Sequence, residues 1–373
     1  MTTTRRLRFL LLGVGAIGAA VAIFVSRSSF DDAAAHTWSP FVLVTGLLLI
    51  GVVANEDGVF AAAAGLLSRV PGGALVLYVA AMLLVAVVTV FLNLDTSVAF
   101  TTPVLIHVAR RRGANELRFL YGCVFMSNAA SLLLPGSNLT NLLILANEHT
   151  SGSVFLTRMV APWVAAVLVT IVVVAVAFRR GDIHLEPTFS NPIRPRVLSM
   201  AGILTVAVLI LVLADPALPV LAVGLALVTI RLAQRRLAVS RVQDVDVLSL
   251  LAIFLVALSL GSLERVWSFP GQVMATAGSL TTAALGAVGS VIVNNLPAAV
   301  LLGSRMPAHP RSLLLGLNIG PNLAVTGSLS ALIWWSAARS VGAHPSALRY
   351  SAVGIFLVPL TLAATLAAGR LVS

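Results

Sequence analysis

Asp95 is the only acidic residue inside an apolar stretch of this 373-residue chain. An ionised carboxylate in an apolar interior is costly, about 3 kcal/mol on membrane-insertion scales, unless it meets a proton, a cation or a partner. Asp95 lies in Asn93-Leu94-Asp95-Thr96-Ser97, the first of four polar clusters that interrupt long apolar runs. The second is Pro135-Gly136-Ser137-Asn138-Leu139-Thr140-Asn141 and the third is Asn294-Asn295-Leu296-Pro297. The fourth runs from Gly320-Pro321-Asn322 to Thr326-Gly327-Ser328, with Asn318 just ahead of it. Amides and hydroxyls beside broken helices can bind small polar solutes and ions, because broken ends expose N–H groups to anions and C=O groups to cations. The candidate binding residues are Asn93, Asp95, Thr96, Ser137, Asn138, Thr140, Asn141, Asn294, Asn295, Asn318, Asn322, Thr326 and Ser328. Asp95 is also the candidate coupling residue: desolvation favours its protonated form, while a helix N-terminus or a bound cation favours the carboxylate. The plainer alternative is that the clusters are packing kinks and Asp95 a helix cap. Four clusters at matched positions favour binding.

The elements that hold these clusters follow from composition. The chain is 59% hydrophobic and 10% charged, with a mean hydropathy of +1.02. Soluble domains carry about 25% charged residues, so a cytosolic enzyme, a nucleic-acid binder and a secreted disulfide scaffold are excluded. Cys123 is the single cysteine, which leaves no intrachain disulfide and no multi-cysteine metal site. Neither a nucleophile–base pair nor a metal motif points to an enzyme. Apolar segments fall at 9–26, 40–54, 75–109, 117–147, 155–178, 197–213, 216–232, 246–263, 276–305, 311–338 and 348–369. The pattern predicts an all-α polytopic membrane protein with about 9 crossings, two re-entrant hairpins (75–109 and 276–305) and two broken spans (117–147 and 311–338).

These features repeat in order, with Asn93 against Asn294 and Glu56 against Glu264, an offset of about 200 residues. The expected organisation is an N-terminal span and external loop (1–39), a first repeat (40–178), a cytoplasmic linker (179–196), a connecting span (197–215) and a second, inverted repeat (216–373). All 24 basic residues are arginine. With the N-terminus inside, 18 fall in cytoplasmic loops and 6 outside, as the positive-inside rule requires, and Ser373 is expected outside.

Several motifs are set aside on context. Gly13-Val14-Gly15-Ala16-Ile17-Gly18 matches a dinucleotide fingerprint but follows no strand and lies in a span, where small residues ease helix packing. Asn138-Leu139-Thr140 is a glycosylation sequon placed at membrane depth. Ala33-Ala34-Ala35 resembles a signal-cleavage site, yet the preceding apolar run is long for a signal peptide and the chain is polytopic. His107 reads as a water-facing helix end, and Glu56, Asp57 and Glu264 as solvated or interfacial residues at span ends.

The segment Asn55-Glu56-Asp57-Gly58-Val59-Phe60 and the stretches 91–113, 128–144, 290–303 and 315–335 together resemble the ArsB-type arsenite and antimonite efflux permeases. That family is grouped with sodium/dicarboxylate symporters and NhaD-type sodium/proton antiporters in the ion transporter superfamily. The similarity covers about 40–370, and Asn-Asn-Leu-Pro at 294–297 and Thr326-Gly327-Ser328 after Gly320-Pro321 are its more specific parts. Asn128, Asn318 and Asn322 depart from the family, where the first two positions are commonly acidic and the third is often lysine.

The resemblance implies a secondary transporter of the bacterial inner membrane. Its leading substrate is arsenite or antimonite as the neutral hydroxide, with no cofactor beyond H+ or Na+ as coupling ion. The alternatives are a sodium-coupled carrier of a small, dicarboxylate-like anion and a sodium/proton antiporter. The implied partners are the lipid bilayer, the small solute, and a soluble ATPase subunit or a second copy of the chain; nucleic acid is not among them.

Overall fold

The computed structural model describes residues 3–145, 151–179, 195–242, 247–266, 269–303 and 305–370. Residues 180–194 of the expected linker, the chain end at Ser373 and the Glu264 side chain lie outside the described residues.

Every regular element among the described residues is helical. α1 (Thr3–Val25) and α2 (Arg27–Glu56) are separated only by Ser26, whose hydroxyl accepts from the Ser29 N–H and starts the second helix. Residues 27–39, expected as a loop, are therefore helical: behind the serine cap, no glycine or proline interrupts the chain before Pro40. The short helix α3 (Val59–Ser68) follows across Gly58, whose φ of +81° suits glycine. Next come the first hairpin, α4 (Ala74–Leu92) and α5 (Leu94–Arg112), and the first broken segment, α6 (Glu116–Ala130) and α7 (Leu139–Leu145). α8 (Gly152–Ala177) ends this half.

Past the linker lie α9 (Val197–Val212), α10 (Ala217–Ala233), the single-turn α11 (Val239–Val242), α12 (Val247–Val266) and a second short helix, α13 (Phe269–Thr276). The second hairpin is α14 (Ser279–Val293) and α15 (Asn295–Gly303). The second broken segment is α16 (Pro310–Ile319) and α17 (Leu329–Ser340), and α18 (Ala347–Arg370) closes the fold. Among the described residues, α2, α4, α8 and α18 are each long and apolar enough to cross a membrane, with six shorter apolar helices beside them. This is a multi-pass helical membrane protein.

In each helix pair the open end is tied by hydrogen bonds. At the open end of the first, Arg112 on α5 reaches the loop before α4, donating to Ser68 O at 2.9 Å and Val70 O at 3.1 Å. At the open end of the second, the Ala308 N–H donates to Met274 O at 3.0 Å. Packing is matched in the two halves: α1 lies on α12 and α10 on α2, and α5 on α17 and α15 on α7, across the halves, while α4 lies on α6 and α14 on α16 within them.

Several arginines expected on one membrane face are gathered by this packing, each closing the carbonyl end of a helix. Arg118 donates to Phe178 O at the end of α8 at 2.8 Å. Arg110 pairs with Glu116 and donates to Val341 O beyond α17 at 2.6 Å. His107 is exposed, as expected. Asp57 is not: it is buried against Arg231, a partner 174 positions away that its local sequence does not announce.

Candidate functional site

Both hairpin tips are single asparagines in the same rare conformation. Asn93 has φ +83° and ψ 167°, and Asn294 has φ +78° and ψ 150°. That backbone region is almost confined to glycine and costs about 1–3 kcal/mol per residue elsewhere. Each side chain caps the helix it begins. Asn93 Oδ1 accepts from the Thr96 N–H at 2.9 Å, and Asn294 Oδ1 accepts from the Leu296 N–H at 3.3 Å.

The capping role considered for Asp95 is thus filled by Asn93. Asp95, half-buried in the first turn of α5, accepts instead from Ser330 Oγ of α17 at 2.5 Å. This hydrogen bond joins the first hairpin to the second broken segment. On the other side of the tip, Gly51 of α2 abuts Thr96 so closely that a Cβ there would lie 2.5 Å from Thr96 Cγ2.

The two broken segments meet through asparagines. Asn318, fully buried at the end of α16, is the hub. Its Oδ1 accepts from Asn138 Nδ2 at 2.5 Å and Ser131 Oγ at 2.7 Å, and its Nδ2 donates to Asn141 Oδ1 and Leu314 O, both at 2.8 Å. Asn141 Nδ2 donates in turn to Ser131 O at 2.7 Å, and Asn138 Oδ1 accepts from the Thr140 N–H at 3.1 Å. Beside this hub, Asn128 Nδ2 donates to Asn322 Oδ1 at 2.7 Å. Carbonyls freed by the breaks are met by aromatic side chains of the closing helices. Trp163 of α8 donates to Ala130 O and Tyr350 of α18 to Pro321 O, both at 3.1 Å. Ser137 Oγ donates to Val90 O at 3.2 Å, and Ser328 caps α17 by accepting from the Ala331 N–H.

The remaining candidates are placed differently. Asn294 Nδ2 reaches only the Thr326 carbonyl, at 3.1 Å and in an exposed setting. The Thr326 side chain is exposed, whereas Asn295 is buried behind it. The sequence patterns missed Ser131 and Ser330 and marked Asn128 only as a departure; Ser131 and Ser330 lie about one helical turn or less from a cluster and Asn128 two turns, so widening the clusters by two turns finds them.

Not every buried polar atom is paired. Thr89 Oγ1, Asn93 Nδ2, Thr96 Oγ1, Asn128 Oδ1 and Thr140 Oγ1 have no hydrogen-bond partner. These five belong to the first hairpin or the first broken segment, and Asn93 and Thr96 flank Asp95 in sequence. Leaving such an atom unmade costs about 1–3 kcal/mol, so this set is where a bound solute gains most. Across 85–104, 123–145, 290–300 and 313–335 Asp95 is the only ionisable side chain apart from Cys123, and there is no arginine or histidine. No group of three His, Cys, Asp or Glu residues among the described residues is arranged to hold a metal ion.

A largely uncharged polar centre at the meeting of hairpin tips and broken helices, inside a polytopic bundle, is the architecture of a membrane transporter. The chain belongs to the CitMHS family, described as citrate transporters, whose model matches residues 3–338. It is 26% identical over 368 residues to the arsenical pump membrane protein of Escherichia coli K12, covering 89% of this chain and 86% of that one, and equally similar to the protein of the same name from Shigella flexneri. In fold it is similar to the YdaH transporter of Alcanivorax borkumensis, with a TM-score of 0.54, 13% identity and coverage of 97% and 96% of the two chains. These findings agree with the ArsB-type kinship expected from the motifs, and the chain is a secondary transporter of that kind.

Proposed function

We propose that this transporter expels arsenite or antimonite as the neutral trihydroxide, driven by the inward proton gradient through Asp95. One observation carries the reading: the unpaired buried groups toward the first hairpin tip and the first break, on Thr89, Asn93, Thr96, Asn128 and Thr140, are hydroxyls and amide atoms, while the likewise unpaired Arg112 Nε lies at the hairpin's far, open end and no cationic side chain falls within 85–104, 123–145, 290–300 or 313–335. A neutral trihydroxide both donates and accepts hydrogen bonds and needs no fixed counter-charge. Unpaired Asn93 Nδ2 supplies a donor, Asn128 Oδ1 an acceptor, and Thr96 and Thr140 hydroxyls that do either. The likeness to the arsenical pump membrane proteins supports the same substrate. In this reading the two halves are an inverted repeat with re-entrant hairpins, consistent with their reciprocal packing. The N-terminus is cytoplasmic and the C-terminus external, in the bacterial inner membrane.

The family's description favours a second reading, sodium-coupled carriage of a citrate-like anion. There, sodium would be bound by hydroxyl and carbonyl oxygens and the anion by helix N-termini. Uptake into everted vesicles, comparing arsenite, antimonite, sodium and citrate, decides between them. Proton-driven accumulation of arsenite without citrate uptake is expected; sodium-dependent citrate uptake without arsenite uptake would replace the first reading with the second.

A further inference from the structure

Away from the polar centre, the most strongly paired charges surround the short helix α3. At its start, Asp57 Oδ2 accepts from Arg231 Nε at 3.0 Å, from Arg231 Nη2 at 2.6 Å and from Ser199 Oγ. Both charged side chains are almost fully enclosed, with 3% of Asp57 and 4% of Arg231 exposed. Gln234 accepts from Arg231 Nη1 at 2.7 Å, and the Arg196 N–H donates to the Asp57 backbone carbonyl at 3.3 Å. One carboxylate therefore fastens the α2–α3 elbow to the start of α9 and the end of α10.

The far end of α3 is fastened to something else. Buried Arg112 of α5 donates to Ser68 O, Val70 O and Gly72 O, the carbonyls that leave α3. Along the helix, the Phe60 and Phe100 rings stack at 4.9 Å, again joining α3 to α5. A ten-residue helix, about 15 Å long, thus has one buried arginine at each end: Arg231 anchors it to the α9–α10 pair and Arg112 to the first hairpin. The geometry points to a positioning role for the Asp57–Arg231 pair: it holds the α2–α3 elbow closed on α9 and α10 throughout transport, and α3 acts as the strut that sets the place of the first hairpin relative to them. A merely stabilising ion pair has no reason to be matched by a second arginine at the other end of the same short helix.

The test uses the full chain in lipid, with Asp57→Asn, Arg231→Gln and the double variant, read by hydrogen–deuterium exchange and by arsenite uptake into everted vesicles. Each single variant is expected to speed exchange at 59–68 at least tenfold while α14 and α16 keep their protection. The double variant should be no worse than the poorer single one, because the two changes remove one interaction. Unchanged exchange at 59–68, additive effects, or an increase spread evenly over all helices would overturn the role.

A second arm replaces the ion pair by a covalent tie, Asp57→Cys with Ser199→Cys in a Cys123→Ser background. Oxidised protein is expected to transport faster than the reduced form, because the tie replaces the closure that the reduced form, lacking the Asp57 carboxylate, has lost; oxidation that stops uptake would overturn the proposal. Where the parent itself carries no arsenite, the uptake arm is run with citrate and sodium, so a failed substrate assignment leaves the exchange result and the tie to decide this one.

Discussion

Replacing Asn93 by glycine separates what that asparagine does for the turn from what it does for a solute. The residue holds φ +83° and ψ 167°, where glycine rests without strain, so about 1–3 kcal/mol is relieved. The change also removes a buried Nδ2 that has no partner, relieving a further 1–3 kcal/mol. Against this stand the lost cap to the Thr96 N–H, a few tenths of a kcal/mol when glycine replaces asparagine, and about 0.5–1 kcal/mol of extra chain entropy. The balance lies between about 0.5 and about 5 kcal/mol in favour of Asn93→Gly. Its apparent melting temperature should therefore equal or exceed that of the parent.

Transport should behave in the opposite way. If Nδ2 donates to the solute, its loss removes a hydrogen bond of about 0.5–1.5 kcal/mol, a rise in KM of about 2- to 10-fold. Asn93→Ala supplies the control: it keeps the strained backbone, loses the cap at about 1 kcal/mol, and should lower stability and transport together. The assay is initial uptake of arsenite into everted vesicles at several concentrations, beside thermal unfolding of the same preparations. A stable Asn93→Gly protein with parental KM and rate would refute the reasoning, because the asparagine would then serve the turn alone.

Four further outcomes follow from the same geometry. Asn318→Ala strands Asn141 Oδ1 and Asn138 Nδ2, while Ser131 Oγ keeps its bond to Asn128 O; it should cost at least about 2 kcal/mol, seen as a lowered unfolding temperature with uptake falling in step. Asp95→Asn keeps the side chain's shape but cannot titrate, so it should fold and still exchange solute while losing dependence on the proton gradient; undiminished proton-driven accumulation would place coupling elsewhere. Asn294→Gly loses the cap to the Leu296 N–H and an exposed bond to Thr326 O but no unpaired buried donor, so its effect on uptake should be smaller than that of Asn93→Gly at equal expression. Cys123→Ser should retain arsenite tolerance in a sensitive host, since the hydroxide reading uses no thiolate; loss of tolerance in well-expressed protein would count against it.

The sequence exposed the centre of this fold because breaks in an apolar helix must be made of unusual residues. Asn93, Pro135, Asn294 and Pro321 stand out in runs of leucine, valine and alanine, and each marks a place where the chain turns or unwinds. The short helices α3 and α13 did not stand out, because at 10 and 8 residues they are too short to span and fall between the apolar segments, 59–68 before 75–109 and 269–276 before 276–305. Nor did the burial of Asp57, since pairing over 174 positions leaves no local trace. Which asparagines are paired was equally hidden. Asn138 and Asn141 share a motif with Thr140, yet the two amides join the Asn318 hub and the hydroxyl is left without a partner.

That division bears on how the centre can work. A hub in which Asn318 uses both its acceptor and its donor atoms has no capacity left for a solute unless an internal bond is broken, so Asn138, Asn141 and Asn318 act as a brace between the two broken segments. The brace is neutral and cannot respond to a proton. Asp95 is the one ionisable group here whose hydrogen bond also crosses between the halves, through Ser330. As a carboxylate it can only accept from that hydroxyl; once protonated it can donate, and the serine must then turn its own proton elsewhere. A change of protonation thus alters a contact between the first hairpin and α17 while leaving the asparagine brace intact. That contact joins the same hairpin whose tip and neighbouring segment carry the unpaired groups. In the proposed mechanism, proton binding and solute binding would thus meet on one element, as coupling between them requires.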